Sequence, residues 1–428
     1  MSGHIAIFGD DDINVAPLLH WGLYALQHRG EVGSGLAVYK DGKFTVTRGE
    51  GLVSEVYEEE KINSLEGNRG AAHAKYAFKD DPHGMVLLPE VFEYEGKPRM
   101  LSIDGNFLEK SISRKDLIPM FNDEKNLSNS INYLYGAYSI IYMDEDKLTV
   151  VRDPWGIKSF FLGKYNDSYV VASETCAIDA IGAEYLRDIA PGEIVTINKY
   201  GLNSKFVERR DEKSCIFEFV YLSRQDSYIN GKSIYDARYN MGRRLAEESP
   251  VNGDVVIGAP DSGTIAALGF SHESGIQYRE GILKNRYVGR TFILPDQRMR
   301  DKSVKIKLNP LKKNLKGKRV ILVDDSIVRG TTIKSTVAMI KDAGATEVHV
   351  RIACPPVTTS CDLCVDTPSE DKLIGANHTV EETREIIGAD SLAYLSLDGL
   401  VYACSGNGFC KNCFDGKYPI EVENGDNV

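Results

Sequence analysis

The stretch Arg319-Val320-Ile321-Leu322-Val323-Asp324-Asp325-Ser326-Ile327-Val328-Arg329-Gly330-Thr331-Thr332 passes from an unbroken apolar run into two adjacent carboxylates and then a hydroxyl-rich loop. The β-branched run predicts a buried strand. A helix follows to about Asp342, Gly344 stops it, and Glu347-Val348-His349-Val350-Arg351-Ile352 predicts the next strand. Upstream, Asp254-Val255-Val256-Ile257-Gly258 has the same strand pattern. It leads through Ala259-Pro260-Asp261-Ser262-Gly263 into a helix from Thr264 to about Glu273. Strand, loop, helix and strand with continuous apolar strands predict an α/β domain whose parallel sheet is covered on both faces. Ligands of such sheets sit at the carboxyl ends of the strands, where both polar loops fall.

Adjacent carboxylates repel, so Asp324-Asp325 needs a reason. At a strand end the two side chains are expected on opposite sides, both within reach of a ligand. They can accept hydrogen bonds from neighbouring hydroxyls, hold a hard cation, or cap the following turn. Arg329-Gly330-Thr331-Thr332 adds two hydroxyls, free backbone N–H groups and a helix start, which together form an anion cradle. Carboxylates for hydroxyls beside a cradle for phosphate describe a phosphorylated sugar. The Gly-Lys-Ser/Thr ending of a P-loop is absent. The bland alternative is a strand–turn–helix corner with a Ser or Thr cap.

The whole chain has 428 residues, 51 Lys and Arg against 62 Asp and Glu, and a net charge of −11. At about 150 residues per domain it holds two or three domains. The acidic balance argues against a general nucleic-acid binder but leaves room for a local basic pocket. No apolar run reaches the roughly 18 residues of a membrane span. Met1-Ser2-Gly3-His4, with Asp10, Asp11 and Asp12 soon after, resembles neither a signal nor a transit peptide. A cytoplasmic protein without structural disulfides is expected.

The first half has another rhythm. Ile5-Ala6-Ile7-Phe8 reads as a strand, Gly22 to Gln27 as helix, and Gly35 to Val46 as a hairpin turning at Asp41-Gly42. Tyr138 to Tyr142 with Leu148 to Val151, and Tyr169-Val170-Val171, repeat the strand pattern. This predicts a mainly antiparallel α+β domain. We place it at residues 1–205, the α/β domain at 206–400, and a C-terminal segment at 401–428. The end of that segment, 423–428, reads as frayed.

Eight cysteines remain, six of them in the last quarter. Cys361-x-x-Cys364 and Cys410-x-x-Cys413 suit a four-thiolate zinc site by spacing, though the gap exceeds the usual roughly 15–20 residues. Four thiolates also suit an iron–sulfur cluster. Cys176, Cys354 and Cys404 read as small packing residues.

The acidic-pair stretch resembles the phosphoribosyltransferase signature in the form found in the glutamine phosphoribosylpyrophosphate amidotransferase (amidophosphoribosyltransferase) family. Further matching stretches are Leu23 to Gly30, Arg152-Asp153-Pro154-Trp155-Gly156-Ile157, Ser173-Glu174-Thr175-Cys176, Lys284 to Thr291 and Gly388 to Leu392. The resemblance spans nearly the whole chain. It implies an N-terminal-nucleophile-type αββα sandwich followed by a type I phosphoribosyltransferase domain. It further implies a role in purine biosynthesis, with phosphoribosyl pyrophosphate as substrate, a purine nucleotide as effector and a homotetramer.

By resemblance Asp324 and Asp325 contact the ribose hydroxyls and, with Ser262, Mg²⁺. Asp261, Ser262 and Gly263 match the pyrophosphate loop; Arg329, Gly330, Thr331 and Thr332 match the 5′-phosphate loop; Ser326 is a further expected substrate-binding residue. Lys284, Arg286 and Arg290 belong to a loop, Lys284 to about Arg300, that closes over the substrate; their cations suit a pyrophosphate leaving group. One branch of the family carries a [4Fe-4S] cluster whose ligands match Cys215, Cys361, Cys410 and Cys413. Cys364 is an extra thiol without an assigned role.

The glutaminase half departs from the family. Ser2 stands where the family has its nucleophilic Cys. Lys75 replaces an Arg whose planar fork grips a carboxylate. Phe78 replaces a small hydroxyl residue. Asp104 replaces an oxyanion-hole Asn and would repel the developing charge. Glutamine hydrolysis is therefore expected to be lost. The expectation is an ammonia-dependent enzyme making phosphoribosylamine, with the ammonia free or supplied by a partner protein; a variant transfers to another amine. The alternative is a regulatory or nucleotide-binding paralogue in a hetero-oligomer. A Ser2 amidase with a new substrate is a third possibility.

Overall fold

In the computed structural model the described residues are 2–10, 12–76, 87–108, 114–123, 125–207, 210–285, 308–406 and 408–420. The first half stacks two antiparallel sheets. Among these residues the first has seven strands, with Gly3–Phe8 between Ser168–Ala172 and Arg69–Lys75. Ile5 faces Ala172 on one side and Ala72 on the other. Every residue of Gly3–Phe8 is buried, as a central strand with both faces covered requires. The second sheet runs through Gly201–Phe206, Glu193–Asn198, Lys147–Arg152, Gly136–Met143, Lys97–Phe107 and Glu90–Tyr94 in spatial order.

Ala6, Phe8, Ile141, Val150, Phe160 and Val171 fill the space between the sheets. Helices Ala16–Ala25 and Thr175–Ala180 cover the outer face of the first sheet, and Leu117, Phe121, Leu127 and Ile131 cover the second. This is the expected αββα sandwich. The predicted hairpin is present as Gly33–Lys40 with Lys43–Glu50, turning through Asp41 and Gly42 at positive φ.

The second half carries four parallel strands in the order Val255–Gly258, Arg319–Asp324, Glu347–Ile352, Ser391–Tyr394. Val320 through Val323 are fully buried. Helix Ile234–Glu248 packs with Thr264–Ser274, and helix Thr331–Asp342 with Val380–Ile387. A short parallel ladder, Ser214–Cys215 with Phe409–Cys410, ties the start of this half to the C-terminal segment. Among the described residues no helix is long and apolar enough to cross a membrane.

The halves also meet through buried charge. Arg29, 1% exposed, donates from Nη2 to Glu218 Oε2 at 2.7 Å and from Nε to Glu174. Ser223 links the hydroxyl side of Glu218 to Arg238, which donates to the Ser223 carbonyl at 2.7 Å. A guanidinium shared by two sealed carboxylates fixes the relative placement of the elements that carry them.

Candidate functional site

The carboxyl ends of Val255–Gly258 and Arg319–Asp324 bring the two polar loops together. Gly263, at the start of one helix, packs so closely that a Cβ would lie 2.5 Å from the Val323 carbonyl and 2.9 Å from Asp324 Cα. Gly330 takes φ +77 before helix Thr331–Asp342, and a Cβ there would press on Ile374 at 2.7 Å. Both loops therefore require glycine at these points. The Ser262 hydroxyl donates to the Asp325 carboxylate. The Asp261 carboxylate pairs with the Lys284 ammonium. Arg329, Thr331 and Thr332 stand exposed at the mouth, beside the free N–H groups of the helix start.

Asp324 and Asp325 do not diverge as expected. Their carboxyl groups hydrogen-bond to each other, and Asp324 Oδ1 also accepts from the Asp325 N–H at 2.9 Å. The strand ends at Asp324, so pleat alternation no longer separates the two side chains. Burial first, and mutual repulsion second, push Asp324 well above the ordinary carboxylate range. Asp325 is raised by burial, with the Ser262 and Ser326 hydroxyls and Arg238 opposing. Two adjacent carboxyl groups, one buried and one half-buried, beside a serine hydroxyl form a donor set that suits one hard divalent cation. Among the described residues no three His, Cys, Asp or Glu side chains gather around one ion position. Arg286 and Arg290 lie outside the described residues.

A second polar centre lies in the sandwich. The Ser2 N–H donates to Asp104 Oδ1 at 2.9 Å, and the Ser2 hydroxyl accepts from the Tyr76 N–H at 3.2 Å. Lys158 Nζ reaches both Asp104 oxygens at 3.0 and 3.1 Å. Burial would neutralise each partner. Each outweighs that for the other, so Asp104 is held well below the usual carboxylate range and Lys158 above the usual lysine range. Lys75 is buried at the end of its strand; Phe78 lies outside the described residues. Behind the pair, His4 touches the Ser102 and Ser139 hydroxyls, and His73 the Ser102 hydroxyl.

Lys158 escaped the sequence reading. It follows the Asp153-Pro154-Trp155-Gly156-Ile157 turn, whose Asp153 carboxylate accepts the N–H groups of Trp155, Ile157 and Lys158. A lysine emerging from so rigid a turn, in a chain with an acid at 104, was the available signal. Glu218 and Arg238, joining this centre to the acidic pair, were missed as well.

The cysteines gather at the domain junction. Cys215 and Cys410 are register partners. The Cys364 N–H donates to Cys361 Sγ at 3.3 Å. Cys410 faces Cys361 and Cys364; Cys413 faces Cys361 and Cys410. Burial is the first cause that pushes the Cys410 thiol up, to about 12. Tetrahedral zinc needs its sulfurs at about 2.3 Å from one point, and no such focus exists among the described residues. A [4Fe-4S] cluster takes one thiolate at each of its irons and needs a wider nest. Cys215, Cys361, Cys410 and Cys413 come together here from the domain junction and the C-terminal segment. Cys176, Cys354 and Cys404 are buried, as expected of packing residues.

Comparison with known proteins agrees with both halves. Residues 85–180 match a glutamine amidotransferase domain and residues 232–359 a phosphoribosyl transferase domain. The chain is 43% identical to the amidophosphoribosyltransferase of Synechocystis sp., over 95% of this chain and 89% of that one. It is 39% identical to that of Bacillus subtilis, over 98% of this chain and 94% of that one. The solved Bacillus subtilis glutamine phosphoribosylpyrophosphate amidotransferase, complexed with ADP and GMP, superposes with a TM-score of 0.90 at 38% identity, covering 100% of this chain and 99% of that one.

Proposed function

Because the chain belongs to the amidophosphoribosyltransferase family, we propose that it transfers ammonia to C1 of phosphoribosyl pyrophosphate, giving phosphoribosylamine and pyrophosphate, and that it has lost glutamine hydrolysis. The nitrogen lone pair forms the C1–N bond as the C1–O bond to pyrophosphate breaks; ammonia then gives up a proton to solvent. Asp324 and Asp325 hold the ribose hydroxyls, and the loop from Ser326 to Thr332 holds the 5′-phosphate. Lys284 switches from Asp261 to the leaving pyrophosphate, with Arg286 and Arg290 beside it. Ser262, Asp324 and Asp325 would hold Mg²⁺, which supplies charge neutralisation for pyrophosphate when bound. Cys215, Cys361, Cys410 and Cys413 would hold a [4Fe-4S] cluster that clips the domain junction to the C-terminal segment. A purine nucleotide is the proposed effector, in keeping with the ADP and GMP of the Bacillus subtilis relative. We retain the division at 205 and 400.

The loss of glutaminase activity rests on one observation. The Lys158 ammonium is bonded to the carboxylate that lies against Ser2. A glutaminase needs open donors there for an oxyanion, and an acceptor already neutralised by a buried lysine offers none. The name of the solved Bacillus subtilis relative, a glutamine phosphoribosylpyrophosphate amidotransferase, points to glutamine as donor in it, so the two donors must be compared directly. Pyrophosphate release is measured with Mg²⁺ and either ammonium or ammonia-free glutamine. Release with ammonium alone is expected; release with glutamine overturns the loss. No release with either moves the assignment to a regulatory paralogue.

A further inference from the structure

Resting on the cluster-ligand reading above, we infer that Cys364 is an interchangeable fifth thiol of the cysteine nest, able to replace Cys361 as a ligand of the metal–sulfur group. Cys361 and Cys364 lie on one bend, which the Cys364 N–H closes onto Cys361 Sγ at 3.3 Å. The two sulfurs are thus presented from adjoining points of one short segment. Cys364 is sealed, at 2% exposure, inside the same apolar cluster as Cys215 and Cys413. Its side chain hydrogen-bonds to the Cys215 thiol, and Cys410 faces both Cys361 and Cys364. Cys364 therefore stands among the other expected ligands.

In the exchange, the Cys364 thiol releases its proton and binds iron. Cys361 leaves that iron as thiolate and takes up a proton. No iron changes oxidation state. The exchange needs side-chain rotation within one bend and no movement of either domain.

The test uses the full chain, purified anaerobically, with iron and sulfide counted per chain. Cys361→Ser and Cys364→Ser are each expected to keep the wild-type content of about four irons. Cys410→Ser and the Cys361→Ser/Cys364→Ser double variant are expected to lose it. A loaded wild type with Cys361→Ser as empty as Cys410→Ser overturns the exchange alone. A wild type with zinc or without iron overturns the ligand reading and the exchange with it. Chelator-driven iron loss gives a second readout with all four expected ligands in place. It is expected about tenfold faster from Cys364→Ser than from wild type, and equal rates count against a reserve thiol.

Discussion

Lys158 Nζ binds both carboxylate oxygens of Asp104, at 3.0 and 3.1 Å, with the two side chains almost sealed from solvent. The residues are 54 apart in sequence and meet where Ser2 leads into the central strand. Each alone would be an uncompensated charge in an apolar sandwich. Together they form a neutral contact beside Ser2.

This pairing sets the first prediction. Lys158→Met or Asp104→Leu alone leaves a buried charge and is expected to cost about 3–5 kcal/mol of unfolding free energy. The double variant should recover most of it, because apolar residues replace buried ion pairs at little cost. Urea unfolding of the four proteins measures the coupling. Simple additivity of the two losses would show that the pair does not act as a unit.

The second prediction concerns the nucleophile. Ser2→Cys restores a thiol but leaves Lys158 on Asp104. Its glutamine-dependent rate is expected to stay at background while its ammonia-dependent rate is unchanged. Glutamine turnover by this single variant would mean that the pocket is open and that the serine alone had silenced it.

The third prediction concerns the phosphoribosyl site. Asp324→Asn and Asp325→Asn are each expected to lower ammonia-dependent kcat/KM by about 10² or more, as loss of a transition-state contact does. Lys284→Met removes the Asp261 partner from the mouth of the site. It should raise KM for phosphoribosyl pyrophosphate as well as lower kcat. Steady-state kinetics separates the two, and a wild-type KM in Lys284→Met would remove this lysine from leaving-group binding.

Local pattern carried most of the fold. The β-branched run Val320 to Val323, the hairpin at Asp41-Gly42 and the helix stop at Gly344 were each readable from a few neighbouring residues. The loops at Ser262 and Gly330 were readable too, because glycine and hydroxyl residues there serve local backbone needs. What stayed hidden depends on contacts across the chain. Asp324 and Asp325 were placed on opposite sides by strand alternation, which ends at Asp324 itself. Lys158 carries no local mark, because its partner is brought to it by the packing of the sheets. Glu218 opens an irregular π-helical segment, Glu218–Leu222, that no apolar period announced. Arg286, Arg290 and Phe78 lie outside the described residues, so their expected roles stand on resemblance.

The last prediction follows from His4. Burial first, then the nearby Lys158 and Arg29 cations, push its pKa from 6.5 down to about 4, with Asp104 opposing. The folded state therefore binds this proton less readily than the unfolded chain. The stabilisation is fully present above pH 6.5 and is lost as pH falls through about 4. His73 shifts in the same direction, chiefly through burial. Asp153 runs oppositely: burial raises it to about 6, so its contribution is complete below 3.8 and fades as pH rises through 6. The two effects overlap in wild type, so the difference against His4→Gln isolates the histidine. Between pH 7 and pH 5, wild type is expected to lose about 2 kcal/mol more than His4→Gln. Urea midpoints at the two pH values measure this difference. Parallel pH profiles would mean that His4 charges in the folded state without cost, which its contacts with the Ser102 and Ser139 hydroxyls and its full burial argue against.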